Sequence, residues 1–267
     1  MNTYVSFPSQ PVQHNITRQA FFQIAGFPDV LGCVDGTHIR IKTPSEHENV
    51  FVNRKGFHSI NAQIVCDADL KITNCVIKWP GSKHDSYVLR QSNLWNEFEA
   101  GTYPGRLLGD SGYPLRPWLM TPYLNPANNN EERFNSAHIK TRNVVERCIG
   151  VLKKRWACLH RGIVMEPDRA AAVAGACVVL HNMAMAWNVP LVEEDANDDG
   201  DDRDIPQGQG RIIIGAHWAR AQGPMATKGP WQPNTWLLWA PPPAEREVRV
   251  CEREVSYSVG KRKQNYG

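Results

Sequence analysis

Apolar residues along the first two thirds of the chain fall into blocks whose spacing switches between strand-like and helical. Three extended runs, Val30–Lys42, Ile60–Cys66 and Lys71–Lys78, are rich in Val, Ile and Cys, and Asp67-Ala68-Asp69 makes the turn between the second and third. Residues 84–101 then place Val88, Leu89, Leu94, Trp95 and Phe98 on one face, which predicts a helix over 85–99 closed by Gly101. A fourth strand is expected within 105–110 and a fifth at about 119–124. The longest helical pattern covers 131–159, with Val145, Cys148, Ile149, Leu152, Trp156 and Leu159 at i, i+3, i+4, i+7 spacing. A further helix is expected over 167–187, where Gly175 and several alanines allow close packing, and a short one at Arg18–Ile24 within a polar lead. A meander followed by strands alternating with helices implies an α/β fold, a mixed sheet flanked by helices.

Composition supports a globular chain: of 267 residues, 42% are hydrophobic and 21% charged, and no run approaches the length of a membrane span. The first residues lack the apolar centre of a signal peptide. Seven cysteines, an odd number scattered through the apparent elements, suit reduced thiols in an intracellular protein better than a disulfide framework. The net charge of +3 is uneven, because residues 193–204 carry −7 and leave +10 for the rest. A basic body suggests a polyanionic partner, and the acidic run reads as a solvated linker. Beyond 205 the chain is rich in Gly, Pro and Trp without a clear period, an irregular tail.

The chemistry lies in the acids. Asp35 sits inside the first strand between Val34 and Gly36, and an ionisable group among apolar residues costs free energy unless it is paired or binds a metal. Gly36 leaves space beside it, as close approach of a ligand requires. Asp110 follows the apolar end of the fourth strand and reads as a turn cap or as a second site carboxylate. Glu146 stands beside the apolar stripe of the long helix. Two strand aspartates and a helix glutamate are a ligand set for Mg²⁺ or Mn²⁺, and two such ions can drive phosphodiester hydrolysis. Asp85 opens the 85–99 helix and reads as an N-cap or as a further ligand. On the long helix, Arg142, Arg147, Lys153 and Lys154 provide cations for a nucleic-acid backbone; Arg142 and Lys153 share the face of Glu146. Cys177 and His181, four apart, have zinc-like spacing but no second pair, so a packed core position is expected.

Six segments together resemble the PIF/Harbinger DDE transposases and the nucleases derived from them: GFPDVLGCVDGTHIRI, RKGFHSINAQIVCDAD, WPGSKHDSYVLRQS, LLGDSGYPLRPWLMTP, RNVVERCIGVLKKRW and ACVVLHNM. The resemblance covers roughly residues 20–187. It implies a ribonuclease-H-like fold and a divalent-metal-dependent DNA endonuclease. It carries the catalytic acids onto Asp35, Asp110 and Glu146, with Asp85 at a position treated as a further metal ligand. The implied organisation is a lead segment over 1–26, a nuclease domain over 27–190, an acidic linker over 191–204 and a tail over 205–267. Family members carry a long helical region before the first aspartate, where this chain has 34 residues. A separate DNA-binding protein is therefore an expected partner, and the nucleus, with the cytoplasm as an alternative, the expected compartment. The rival expectation is a DNA- or chromatin-binding protein that keeps the fold without turnover.

Overall fold

The computed structural model describes residues 4–191. The expected tail, and the acidic linker apart from Leu191, lie outside the described residues. The chain opens on α1 (Pro11–Ala25), followed by β1 (Val30–Arg40), α2 (Glu48–Phe51), β2 (Ser59–Cys66) and β3 (Ile72–Pro80). Two short helices, α3 (Asp85–Arg90) and α4 (Asn93–Glu99), lead to β4 (Arg106–Leu108) and β5 (Leu119–Met120). Three more helices close the order: α5 (Asn129–Arg155), α6 (Ala157–Arg161) and α7 (Pro167–Ala186).

The five strands form one sheet in the order β3-β2-β1-β4-β5. The meander β1-β2-β3 is antiparallel, whereas β1–β4 and β4–β5 are parallel. This is the mixed, helix-flanked α/β arrangement expected, and it has the ribonuclease-H-like character that the motifs imply. Successive strand residues alternate between two cores, as the two-residue period of a strand requires. Cys33, Ile64 and Leu108 join Val144, Val145, Cys148, Ala174 and Val178 on the face covered by α5 and α7. Val34, Val65 and Leu107 join Leu89, Leu94, Phe98 and Trp118 on the face covered by α3 and α4. The interior strand β2 is buried along its whole length, including Ser59, Asn61 and Gln63.

Several boundaries differ from the sequence reading, each for a local reason. The 85–99 helix is two helices, because the buried Ser92 hydroxyl donates to the Leu89 carbonyl (2.6 Å) and accepts from the Trp95 amide (3.2 Å), capping a new helix. The long helix stops at Arg155, since Trp156 leaves the helical region (φ −123°, ψ 83°), so Leu159 packs from α6. At its other end α5 is capped by Asn128, whose side chain accepts from the amides of Asn130 and Glu131. The short first helix begins well before Arg18, at Pro11, whose ring presets the first helical φ. The fourth and fifth strands shrink to Arg106–Leu108 and Leu119–Met120, leaving Asp110 in the turn beyond β4. By length and composition α7 could cross a membrane, but here it packs against β3 with Ala170, Ala174 and Val178 in the core.

Candidate active site beside β1 and the end of β4

Parallel pairing of β1 with β4 sets Cys33 opposite Leu108. Asp35 and Asp110 each lie two residues further on, so they stand at the same height, Asp110 in the turn just past the end of β4 and Asp35 at the point of β1 where its pairing with β4 stops and only β2 continues beside it. Crevices at the carboxyl ends of parallel strands are where open α/β sheets bind ligands. Period two also puts Asp35 on the same face as Cys33, whose thiol meets the Thr141 carbonyl of α5 at 3.5 Å. Asp110 folds back on its own turn, its Oδ1 accepting from the Gly112 amide at 2.9 Å, so the expected turn cap is present.

From α5, Arg142 reaches both remaining acids. Its Nη1 lies 3.2 Å from Asp35 Oδ2, and its Nη2 pairs with Glu146 Oε1 one helical turn away. The Asp35 side chain is 19% exposed and that of Arg142 16%, whereas Glu146 is 49% exposed. Burial pushes the Asp35 carboxyl up to about 6; Arg142 and the Gly36 amide pull the other way, and Asp110 and Asp85 raise it further. A carboxylate beside a guanidinium normally titrates low, so desolvation wins here.

Asp85 arrives from the opposite face. A Cβ on Gly36 would meet Asp85 Oδ1 at 2.1 Å, so the space left by that glycine is filled by a carboxylate of the protein itself. Asn61 of β2 fixes it, donating to Asp85 Oδ1 at 2.7 Å and to the Lys83 carbonyl at 2.9 Å. The N-cap position of α3 belongs to His84, with no side-chain capping bond, so Asp85 does not cap that helix. Asp35 therefore stands with Arg142 and Glu146 on the α5 side, Asp110 in the turn beyond β4, and Asp85 on the α3 side. No three His, Cys, Asp or Glu side chains gather around one point among the described residues. The donor chemistry still suits a hard divalent cation, which needs only one or two carboxylates and keeps several waters. A buried polar atom supports the same fit. Tyr113, 4% exposed, senses the charges of Asp85, Asp35 and Asp110, and its hydroxyl has no hydrogen-bond partner among the described residues.

The cations of α5 divide between two faces. At 100° per residue, Arg142, Glu146 and Lys153 fall on one narrow stripe toward the site, while Arg147 and Lys154, both exposed, lie about 100° further round. Lys153 is half-buried and donates to the His38 carbonyl at 3.0 Å. Sequence reading missed Asn61, Tyr113 and the loop cations Arg54, Lys55 and Lys83. Polar residues inside the apolar run of β2 were the available signal for Asn61. The zinc-like pair does other work: Cys177 faces Cys158 at 3.9 Å, and His181 bonds the Leu70 carbonyl at 2.9 Å. All six described cysteines are free thiols.

Residues 34–182 match the family model described as a DDE superfamily endonuclease, a span that begins one residue before Asp35 and includes Asp85, Asp110 and Glu146. The human protein named "Putative nuclease HARBI1" is 38% identical over 197 residues, covering 70% of this chain and 56% of that protein. Its Xenopus laevis counterpart is 36% identical over 195 residues, 72% of this chain and 56% of that protein. "Protein ALP1-like" of Arabidopsis thaliana is 30% identical over 194 residues, 66% of this chain and 48% of that protein. The chain thus spans about half the length of the curated relatives it matches. No solved structure matches it significantly. With the family model covering more than half of the sequence, the chain belongs to the DDE superfamily endonucleases.

Proposed function

We propose that this chain is a divalent-metal-dependent DNA endonuclease whose acids are Asp35, Asp110 and Glu146, assisted by Asp85. One observation supports the reading: Asp35 and Asp110 stand at the same height on paired parallel strands, and the first is largely buried. Bound Mg²⁺ or Mn²⁺ supplies an activated water and stabilisation of the leaving oxygen of a phosphodiester. Asp35, from within β1, and Asp110, from the turn beyond β4, would hold the cation, with Asp85 as a further carboxylate near the site on the α3 side. Glu146 joins them when Arg142 lets go of it, and Arg142 is then free to pair with a phosphate of the substrate. Tyr113 keeps bulk water out of the floor of the site and offers its hydroxyl to the groups above. A DNA substrate places this work in the nucleus.

The Arg142 bridge between Asp35 and Glu146 favours one rival, a DNA-binding protein that keeps its acids as an ion-pair network without turnover. Incubating the purified protein with supercoiled plasmid in Mg²⁺, Mn²⁺ or EDTA decides between them. The nuclease reading expects nicking with either metal, none in EDTA, and none from Asp35→Ala or Asp110→Ala. Wild-type protein that folds and binds DNA without cutting it under any of these conditions supports the rival instead.

A further inference from the structure

Two loops stand beside Asp85 on the α3 side, and buried polar groups pin both. In the first, between α2 and β2, the buried Asn53 accepts from the Lys55 amide at 2.9 Å and donates to Ser59 Oγ at 3.0 Å. In the second, after β3, the Gly81 amide donates to the Ser59 carbonyl at 2.8 Å, and Asn61 holds the Lys83 carbonyl. The polar residues inside β2 thus anchor both loops from below. Arg54 ties them together above, its Nη2 donating to His84 Nδ1 at 2.6 Å.

What these loops present is positive charge. Arg54, Lys55 and Lys83 are exposed, and none of them pairs with a carboxylate among the described residues. Lys153 approaches the same region from α5, and it and His38 both feel the charge of Lys55. The Arg54–His84 hydrogen bond and the pinned loop backbones bring these cations to one side of Asp85. Arg142 by contrast is spent on Asp35 and Glu146, and Arg147 and Lys154 point away from the acids.

We infer that Arg54, Lys55 and Lys83, with Lys153 at the inner end, form a cationic rim that holds the phosphate backbone of the DNA strand entering the site past Asp85. This rests on the nuclease reading for its substrate, but its test does not need turnover. The rim reads no bases; it grips a polyanion and sets where along it the acids act.

Binding of a fluorescent DNA duplex in EDTA, over a series of salt concentrations, tests it. The triple variant Arg54→Gln/Lys55→Gln/Lys83→Gln is expected to lose roughly tenfold or more in affinity and about 2–3 from the log–log salt slope. Arg147→Gln/Lys154→Gln on the outer face of α5 is expected to change affinity by less than about twofold. All five positions are exposed, and an unchanged melting temperature confirms folding. A triple variant that binds like wild type, or an α5 double variant that loses as much, overturns the rim whatever the plasmid assay shows. A protein that never nicks DNA but loses binding in the triple variant keeps the rim and refutes only the nuclease reading.

Discussion

On the α5 side of the sheet end, Asp35 is held by an ion pair with Arg142; on the α3 side, Asp85 is held by the neutral amide of Asn61. The first arrangement buries charge against charge, and desolvation still leaves Asp35 easier to protonate than a free carboxylate. The second buries little charge and depends on shape, because Asp85 fits only where Gly36 has no side chain. One carboxylate is thus poised electrostatically and the other sterically. The two sides of one site should therefore respond to different perturbations.

The largest expected effect is on turnover. Asp35→Ala or Asp110→Ala should lower metal-dependent nicking by about a thousandfold or more, several kcal/mol of transition-state stabilisation, while DNA binding in EDTA stays close to wild type. Next comes the charge of Asp35, read by thermal melting across pH. Its folded value near 6 lies above the ordinary 3.8, so its contribution to stability is full below about 4 and is lost as pH rises through 6. Asp35→Asn removes that penalty. It should stabilise metal-free protein by about 1–3 kcal/mol at pH 8 and do nothing near pH 4. Equal melting shifts at both pH values would mean that charge is not what distinguishes the α5 side.

Shape is probed by Gly36→Ala. The new methyl displaces Asp85 and takes from Asn61 one of its two acceptors, leaving the Lys83 carbonyl, at a cost of about 1–2 kcal/mol with little pH dependence. A pH-dependent loss would instead place Asp85 under the same electrostatic control as Asp35. Smallest is Ser92→Ala, which uncaps α4 and should cost about 1 kcal/mol in melting experiments while leaving plasmid nicking unchanged.

The α5 side was more legible in the sequence than the α3 side, and the physics explains why. Asp35 within an apolar run, Asp110 just past another and Glu146 beside an apolar stripe are anomalies visible in a short window. That the strand of Asp35 pairs with the one before Asp110 is not written in either window; only the fold shows it. Gly36 was read as room for a ligand, yet its occupant comes from a helix nearly fifty residues away, a distance that no local pattern spans. The break at Ser92 was hidden because the apolar residues on both sides keep a helical spacing across it. Arg54, Lys55 and Lys83 sit singly in two loops, where a cation is ordinary; only the packing on Ser59 and Asn61 makes them a group.

The parallel pairing of β1 with β4 has a consequence for how the protein folds. The β1-β2-β3 meander joins segments close in sequence, so its loops close at small entropic cost, while β4 reaches β1 only after the whole meander and two helices have been made. Asp110 is therefore a late arrival beside Asp35. On a ribosome, chain that has emerged only as far as β3 carries Asp35 but no companion from β4, and a molecule whose β4–β5 edge frays loses the pair while most of its sheet stands. Any property that needs both carboxylates therefore depends on the long-range β1–β4 contact and not on the local meander alone.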